Sequence, residues 1–299
     1  MVSTLFLDAF STKIRTMKLV LFLFTSLIGS ATFGQKSSLL WEMSGNGLEK
    51  PSYVFGTIHI ICPRDFNLNP SVERSLTASQ QLALELDFDD PKMMTTMQQM
   101  TAMKGGETLK KLLNESDYQL VDRYFRDSLK MNVAMFGTFK PFILMSLMYS
   151  KILGCQPKSY ELEFVQAAKK SKKEVIGLET VEEQMSLFDK IPYQKQAETV
   201  VKMIQGGDKA RKEFGQLVEL YQSQNIKKMA KLSQNSDLNF EGLEASLLDN
   251  RNENWIPIIA REAREKPTFF AVGAAHLGGP KGVIKRLKKA GYRVKPVRD

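Results

Sequence analysis

The sequence predicts an α/β fold with a mixed β-sheet core, built from βαβ-type units at both chain ends, and a large helical subdomain inserted between them. Both ends show the order strand, Gly-x-x-His loop, helix and strand, whereas apolar residues recur at helical spacing in the middle. Strands joined by helices form a parallel or mixed sheet through crossover connections. In such sheets ligands bind at the carboxyl ends of the strands, where both histidine loops fall.

The first unit occupies residues 51–87. "PSYVFGTIH" is predicted as a strand that ends in a Gly-x-x-His motif, Gly56 to His59. "NPSVERSLTAS" is predicted as a helix, with Asn69 as N-cap and Pro70 at the first helical position. "QLALELD" completes the unit as a second strand. This order places His59 at the rim of the sheet.

The second unit repeats the order at the C-terminal end. "PTFFAVGAAH" predicts a strand that carries Gly273 and His276, "GPKGVIKRLKKAG" a helix closed by Gly291, and "YRVKPV" a final strand. A single histidine is more often structural than functional. Here the two matching loops contain both histidines of the chain, His59 and His276. The repetition therefore favours one joint site.

Helices are predicted for most of the chain between the two units. We expect a helical insertion at about residues 91–170 and further helices at about 193–264. Between them the short strand "EVIGLE" leads into a helix opened by a capping box of Thr180 and Glu183. Methionines in residues 93–103 lie along one helical face, which favours a packing stripe or an apolar lid over a thioether copper site.

The N-terminal segment predicts export. A lysine precedes an apolar stretch at residues 19–28, and small residues follow, as in a secretory signal peptide. The stretch is short for a membrane span. We therefore predict a signal peptide over residues 1–34, with Met17 as an alternative start, and a single mature domain over residues 35–299. The mature protein would be periplasmic or secreted, without a stable membrane span; an uncleaved anchor is the alternative.

Charge and cysteine content narrow the function classes. The formal net charge is +9, but the lysines form short scattered clusters without interleaved aromatic residues. This pattern favours a solvated basic surface and argues against a nucleic-acid partner. Cys62 and Cys155 can form a disulfide in an exported protein, and two buried free thiols are the alternative. A metal-ligand role for Cys62 is less favoured, because no Cys-x-x-Cys partner is present.

Acidic residues are predicted at the ends of two further strands. Glu85 alternates with leucines in an apolar strand, where an acid is costly without a partner, and Glu179 closes "EVIGLE". Two imidazoles with such carboxylates suit zinc, manganese, cobalt or iron and leave a position for water. Asp87 closes the same strand as Glu85 and is a further candidate acid. The alternatives are a charge at a helix N-terminus for Glu179 and a turn residue in "DFDDP" for Asp87.

Arg251 lies in "LLDNRNENWIPII", a predicted helix in which apolar residues surround it. A guanidinium at this position can bind a substrate carboxylate or stabilise an oxyanion. Pairing with a structural acid is an equal alternative.

Five segments together resemble the TraB/GumN family, which includes the TraB and PrgY pheromone-shutdown proteins and the Tiki metalloproteases. These segments are "VFGTIH", "LALELD", "EVIGLETVEEQ", "LLDNRNENW" and "FFAVGAAHLGGPKGVIKRLKKAGYRVKPV". The resemblance implies a fold akin to erythromycin-esterase and ChaN-like proteins, and metal-dependent proteolysis at the two Gly-x-x-His motifs. The family's motif histidines fall on His59 and His276, its strand-end acids on Glu85 and Glu179, and its helix arginine on Arg251.

One segment departs from the family pattern. The family often has Gly-x-Asp before the helix that precedes the "GLET" strand, whereas this chain reads Ser159, Tyr160 and Glu161. A glutamate can replace the aspartate, but its longer side chain is expected to place the carboxylate differently.

The resulting prediction is an exported metal-dependent hydrolase, and more specifically a peptidase. His59 and His276, with Glu85 or Glu179 or both, would hold a divalent metal such as Mn, Co or Zn. A carboxylate would accept the proton of a metal-bound water, and Arg251 would stabilise the oxyanion formed on a peptide or protein substrate. The alternatives are a non-catalytic protein that binds haem, a metal or a short peptide, and a structural family member without turnover. A haem site does not require two acids beside the histidines, which disfavours the haem alternative.

Overall fold

The computed structural model describes residues 37–235 and 245–298; the predicted signal peptide lies outside them. Within this part a six-stranded mixed sheet has the order β4-β3-β5-β2-β1-β6. Its strands are β1 (Leu40–Ser44), β2 (Ser52–Thr57), β3 (Gln81–Leu84), β4 (Glu174–Gly177), β5 (Thr268–Gly273) and β6 (Arg293–Pro296). The predicted α/β class with a mixed sheet is confirmed.

Four neighbouring strands, β4, β3, β5 and β2, run parallel, and their carboxyl ends lie close together. Leu84, at the end of β3, pairs with Ala271, two residues before the end of β5. Thr57 pairs with Gly273 across β2 and β5, and Leu84 pairs with Gly177 across β3 and β4. β1 pairs antiparallel with both β2 and β6. Residues that follow the four parallel strands therefore meet at one edge of the sheet, as the strand order requires.

Helices connect the strands and cover the sheet. They are α1 (Pro70–Ala78), α2 (Met93–Gln99), α3 (Leu109–Leu112), α4 (Glu115–Tyr124), α5 (Pro141–Leu153), α6 (Tyr160–Lys170), α7 (Val181–Asp189), α8 (Tyr193–Gln205), α9 (Gly207–Gln222), α10 (Ile226–Asn235), α11 (Asn250–Glu265), α12 (Ala274–Leu277) and α13 (Val283–Lys289). Short π-helical segments, Phe125–Leu129 and Ala245–Asp249, continue α4 and precede α11. None of these helices is long and apolar enough to cross a bilayer.

Two hydrophobic clusters correspond to the sheet region and the helical insertion. Aromatic side chains of β2, β5 and α6 pack on one face of the sheet, with the Phe164 ring 5.3 Å from Phe269 and 5.6 Å from Phe55. Burial of each such side chain contributes about 1.5–3 kcal/mol. The second cluster joins α3, α4, α5 and α8 through residues such as Leu109, Phe125 and Val200. The helical insertion therefore has a core of its own. The segments that flank it in the sequence meet at the edge of the sheet.

Several element boundaries differ from the sequence predictions. β1 was not predicted, although Trp41 and Met43 are fully buried and alternate with half-buried neighbours. β3 ends at Leu84, so Glu85 lies just beyond the strand and not inside it. β5 ends at Gly273, and "AAH" begins the helical turn α12. The last two differences share a cause, because the chain turns at the carboxyl edge of the sheet directly after Leu84 and after Gly273.

Three of the five methionines in residues 93–103 pack against apolar side chains, whereas Met94 is exposed. Met93, Met97 and Met100 contact the cluster formed by Leu86, Val181 and Met185. They attach α2 to α7, which is the packing role that methionine fills well. The capping box of Thr180 and Glu183 opens α7 as predicted.

Candidate active site at the sheet edge

The structure brings together all five predicted polar residues of the site. His59, Glu85 and Glu179 follow β2, β3 and β4, His276 lies in α12 after β5, and Arg251 reaches them from the first turn of α11. All except His59 are buried or nearly so. Their convergence follows from the neighbouring carboxyl ends of the parallel strands.

Glu85 is a buried carboxylate with three hydrogen-bond donors. Its Oε1 accepts from the backbone N of Gly273 at 2.8 Å, and its Oε2 accepts from Arg251 Nη2 and, at 3.4 Å, from Gln184 Nε2. Burial alone would raise its pKa, but Arg251, then His276 and His59, lower the pKa well below its usual range. Glu85 is therefore ionised, which explains how an acid is tolerated here.

Glu179 binds the same guanidinium from the other side. Arg251 Nε lies 3.1 and 3.0 Å from its two carboxylate oxygens, and Nη2 lies 2.6 Å from Oε1. Gln184 Nε2 donates to the same Oε1 at 2.8 Å. A bidentate guanidinium–carboxylate pair has strong directional preference. Glu179 thus serves the site, beyond any effect on the helix α7 that follows it.

His276 is buried between an amide and the guanidinium. Its Nδ1 lies 2.7 Å from Asn252 Oδ1, and Asn252 Nδ2 donates to the carbonyl of Lys281 at 3.1 Å, which fixes the amide orientation. The ring must therefore carry its proton on Nδ1, which leaves the Nε2 lone pair to accept from Arg251 Nη1 at 3.1 Å. Burial lowers the pKa of His276 to about 3, so the ring is neutral. Trp255 packs on it, with ring centroids 4.6 Å apart.

His59 is held by a carboxylate and is otherwise open to solvent. Its Nδ1 donates to Glu161 Oε1 at 2.8 Å, while 62% of the side chain is exposed. Glu161 is buried and also accepts from Thr57 Oγ1 at 2.6 Å and Ser159 Oγ at 2.8 Å. Crowding around the ring opposes protonation, but the hydrogen bond and charge of Glu161 outweigh it and raise the pKa of His59 to about 9. The three hydrogen bonds lower the pKa of Glu161 despite its burial.

The two motif glycines allow close approach, each of a different group. A Cβ at Gly273 would lie 3.3 Å from Glu85 Oε1 and 3.5 Å from both His276 Cδ2 and His59 Nε2. The two imidazoles therefore border one small space beside Gly273. A Cβ at Gly56 would instead lie 2.8–3.0 Å from Leu277 and Ala274, where α12 packs on β2.

The loop that carries His59 is fastened to the segment that carries Glu161. Cys62 and Cys155 are joined by a disulfide, with Cα atoms 5.9 Å apart. Ile61 and Lys158 exchange two backbone hydrogen bonds, of 3.0 and 2.8 Å. These links hold the His59 loop against the N-terminal end of α6.

The donor types at this centre fit a divalent metal. The Nδ1 of each ring is bound to an oxygen acceptor, which directs each Nε2 toward the space shared with Glu85, as in metal sites with oriented histidines. In residues 37–235 and 245–298, however, no three His, Cys, Asp or Glu side chains are spaced to hold one ion. Arg251 accounts for this spacing, because its guanidinium lies among Glu85, Glu179 and His276.

Sequence inspection missed some residues of the site. Asn252 directly follows Arg251 in the quoted segment, so its proximity was available, but its role on His276 depends on the fold. Glu161 was expected to place its carboxylate differently from an aspartate; in the structure it reaches His59. Asp87 accepts a hydrogen bond from Asp89 N at 3.2 Å, in a turn. Burial and the Asp89 carboxyl raise the pKa of Asp87 to about 6.

The fold and site define an α/β protein with a histidine–carboxylate–arginine centre at the carboxyl edge of a mixed sheet. This chain belongs to the TraB/PrgY/gumN family, whose profile matches residues 39–296. It is similar to Metalloprotease TIKI1 of Xenopus tropicalis, with 26% identity over 317 aligned residues that cover 87% of this chain. It is also similar to Metalloprotease TIKI2 of Danio rerio, with 32% identity over 89 residues that cover 29% of the chain.

The chain spans 61% and 17% of the lengths of these two relatives in the aligned regions. No solved structure matches it significantly.

Proposed function

We propose that this protein is an exported, metal-dependent hydrolase that cleaves peptide bonds. The observation that carries the proposal is the pair of imidazoles beside Gly273, each anchored through Nδ1, with Glu85 and Glu179 next to them. The similarity to two metalloproteases supports a peptide or protein substrate. The disulfide between Cys62 and Cys155 supports export, because such bonds persist in oxidising compartments. We also propose that the fold resembles that of erythromycin-esterase and ChaN-like proteins.

His59, His276 and Glu85 would hold the metal, through Nε2 of each ring and the carboxylate. His59 would first release its Nε2 proton, and the ion would replace the Arg251 N–H at His276 Nε2. Manganese, cobalt or zinc, when bound, supplies a Lewis acid and a water with lowered pKa. Glu161 and Asn252 keep the two rings oriented with Nε2 forward. Glu179, which binds the same guanidinium as Glu85, would serve as the proton acceptor.

Arg251 has two tasks in this proposal. Without metal it neutralises the adjoining carboxylates of Glu85 and Glu179. During hydrolysis its N–H groups stabilise the negative charge that develops on the carbonyl oxygen. Its stacking on Trp255, 4.7 Å from guanidinium carbon to ring centroid, keeps it at the site.

A binding protein for haem, metal or a short peptide is the competing proposal. The ionised Glu85 and the Arg251 guanidinium beside His276 disfavour haem, because a haem pocket is broad and mainly apolar. A haem absorbance band in the purified protein would reverse this preference.

The test is metal analysis and peptide cleavage by the purified exported protein. After chelation we expect cleavage to be lost and then restored by Mn, Co or Zn. His276→Ala should abolish both metal binding and cleavage while the fold persists in circular dichroism. Asp87→Asn is the matched control, because this acid also follows β3 but its carboxylate bonds to the turn residue Asp89. Cleavage retained by folded His276→Ala would refute the proposal.

A further inference from the structure

A cavity of about 900 Å³ lies at the same edge of the sheet as the candidate active site. It is bordered by the start of β1, the loop between β2 and α1, the first turn of α1, the end of α9 and the residues after β6. This volume is within the range of sites that bind small molecules or short peptide segments. The candidate active site, at the ends of β2 to β5, does not use it.

The walls of the cavity are held by hydrogen bonds of the protein itself. The Tyr160 hydroxyl accepts from Asn67 N at 3.2 Å and donates to Asn67 O at 2.9 Å. The Tyr221 hydroxyl donates to the carbonyl of Gly56 at 3.1 Å, and Gln224 Oε1 accepts from Leu39 N at 3.2 Å. Such a preformed cavity binds a ligand with less ordering cost than a flexible surface does.

The cavity shares structural elements with the active site. Tyr160 lines it, and the next residue, Glu161, binds His59. The loop between β2 and α1 begins near His59, and its later residues, Arg64 to Asn67, form part of the cavity rim. A bound peptide that runs along this loop would therefore extend from the cavity to the exposed face of His59.

The chemistry of the lining combines an apolar floor with a basic rim. Phe55, Phe66 and Val72 contribute apolar surface, whereas Arg64 and Arg298 contribute exposed guanidinium groups. Asp65 is the acid of the lining, and it already accepts from Gln222 Nε2 at 3.2 Å and from Arg64 Nε at 3.4 Å.

Further cations lie around this rim. The exposed Lys295 is on β6, just before the residues that border the cavity. Lys158 Nζ lies 4.5 Å from the Phe66 ring centroid, but its charge is paired with Glu163 Oε1 at 3.0 Å. Excess positive charge around a concave site attracts anionic groups.

We propose that this cavity is the subsite that binds an acidic segment of the peptide substrate, next to the bond that is cleaved. Carboxylates of the peptide face Arg64 and Arg298, and its apolar atoms lie on the phenylalanines. This inference rests on the proposed peptidase function, because it takes the bound peptide to be a substrate. Binding of an acidic peptide can nevertheless be measured without cleavage.

The test uses two fluorescent peptides that differ only in Glu versus Gln and the chelated full-length protein. We expect the Glu peptide to bind more tightly by fluorescence anisotropy. The double variant Arg64→Glu/Arg298→Glu should weaken binding of the Glu peptide about tenfold and that of the Gln peptide by less than about twofold, because rim charges act mainly on charged ligands. Lys195→Glu/Lys202→Glu, on exposed positions of α8, is the control with the same change in net charge.

A second variant tests the cavity separately from its rim. Gln222→Trp, at an exposed position of the lining, should block the space and weaken both peptides. Equal affinity for the two peptides, or equal losses in the arginine and lysine variants, would overturn the subsite. If charge-dependent binding is found but no metal restores cleavage, the subsite stands and the proposed function fails. If cleavage occurs with a KM indifferent to the arginine variants, the function stands and the subsite is wrong.

Discussion

His59 and His276 follow neighbouring parallel strands and border the same space beside Gly273, yet their surroundings are opposite. His59 is 62% exposed and has a buried carboxylate behind it, which raises its pKa. His276 is buried, has the neutral amide of Asn252 behind it and a guanidinium in front, and its pKa is lowered. The repeated motif thus places two rings alike, whereas the neighbours decide that one ring is cationic and the other neutral.

The charge balance differs between the two sides in the same way. On the His59 side one carboxylate, Glu161, faces one imidazolium. On the His276 side two carboxylates, Glu85 and Glu179, share the single charge of Arg251. The His276 side therefore has less positive than negative charge. A divalent ion can balance this difference, whereas His276 cannot, because burial keeps its ring neutral.

The largest expected effect comes from removing the cation on the His276 side. Arg251→Met leaves two buried carboxylates without a partner, which should cost about 3–5 kcal/mol of unfolding free energy in chelated protein. Added Mn, Co or Zn should recover more stability in the variant than in the wild type, because the ion takes over the neutralising role. Denaturant unfolding with and without metal measures both quantities.

Arg261→Met is the control for this substitution. Arg261 lies on the same helix, but its side chain is exposed and pairs with the adjacent Glu262, so a loss of about 0–1 kcal/mol is expected. A chelated Arg251→Met variant as stable as the Arg261→Met variant would show that Arg251 does not balance the acid pair.

An intermediate effect should separate the two motif glycines. Gly56→Ala brings a Cβ to within 2.8–3.0 Å of Leu277 and Ala274, and overpacking of this kind costs about 1–3 kcal/mol. Gly273→Ala meets its neighbours at 3.3–3.5 Å, so the fold should tolerate it better, but the methyl group enters the space between the two rings. We expect the first variant to lose stability and the second to lose metal binding and cleavage.

Thermal unfolding and metal titration of the two variants, side by side, check this division. The same stability loss in both, with metal binding kept by Gly273→Ala, would mean that the space beside Gly273 is not the metal position.

The part of the site that sequence could predict is the part set by backbone topology. His59, Glu85, Glu179 and His276 all follow strands, and parallel strands end together, so their meeting could be expected from element order. The hydrogen-bond partners of the two Nδ1 atoms, Glu161 and Asn252, could not be predicted in this way. Asn252 reaches His276 only because the fold brings α11 next to the segment that follows β5.

The fold shows the same division between pattern and tertiary context. The two end units were found from their strand–helix–strand order, and Pro141 and the capping box marked helix starts correctly. β1 was missed because five residues offer little periodic signal, and its pairing with β2 and β6 is a long-range feature. The contact of Glu161 with His59 could not be predicted, because it depends on the Ile61–Lys158 pairing of two segments that are distant in sequence.

The smallest expected effect distinguishes the two Nδ1 partners by pH. Glu161→Gln should cost about 1 kcal/mol, since the pair is charge-assisted but partly screened by solvent. The folded pKa of His59, about 9, exceeds the free value of 6.5, so this stabilisation is complete below pH 6.5 and is lost as pH rises through 9. It also fades in acid, as pH falls through the lowered pKa of Glu161. The difference between wild type and variant should therefore shrink from pH 6 to pH 10.

Asn252→Ala should instead show a constant difference over this range, because an amide does not titrate and His276, with a pKa of about 3, stays neutral. Nitrogen-15 spectra of the imidazoles check the assignment directly, since the chain has two histidines. At pH 8 one ring should be protonated on both nitrogens and the other on Nδ1 alone. Two neutral rings with the same tautomer would remove the asymmetry between the motifs. They would also remove the reason to expect the deficit of positive charge on the His276 side.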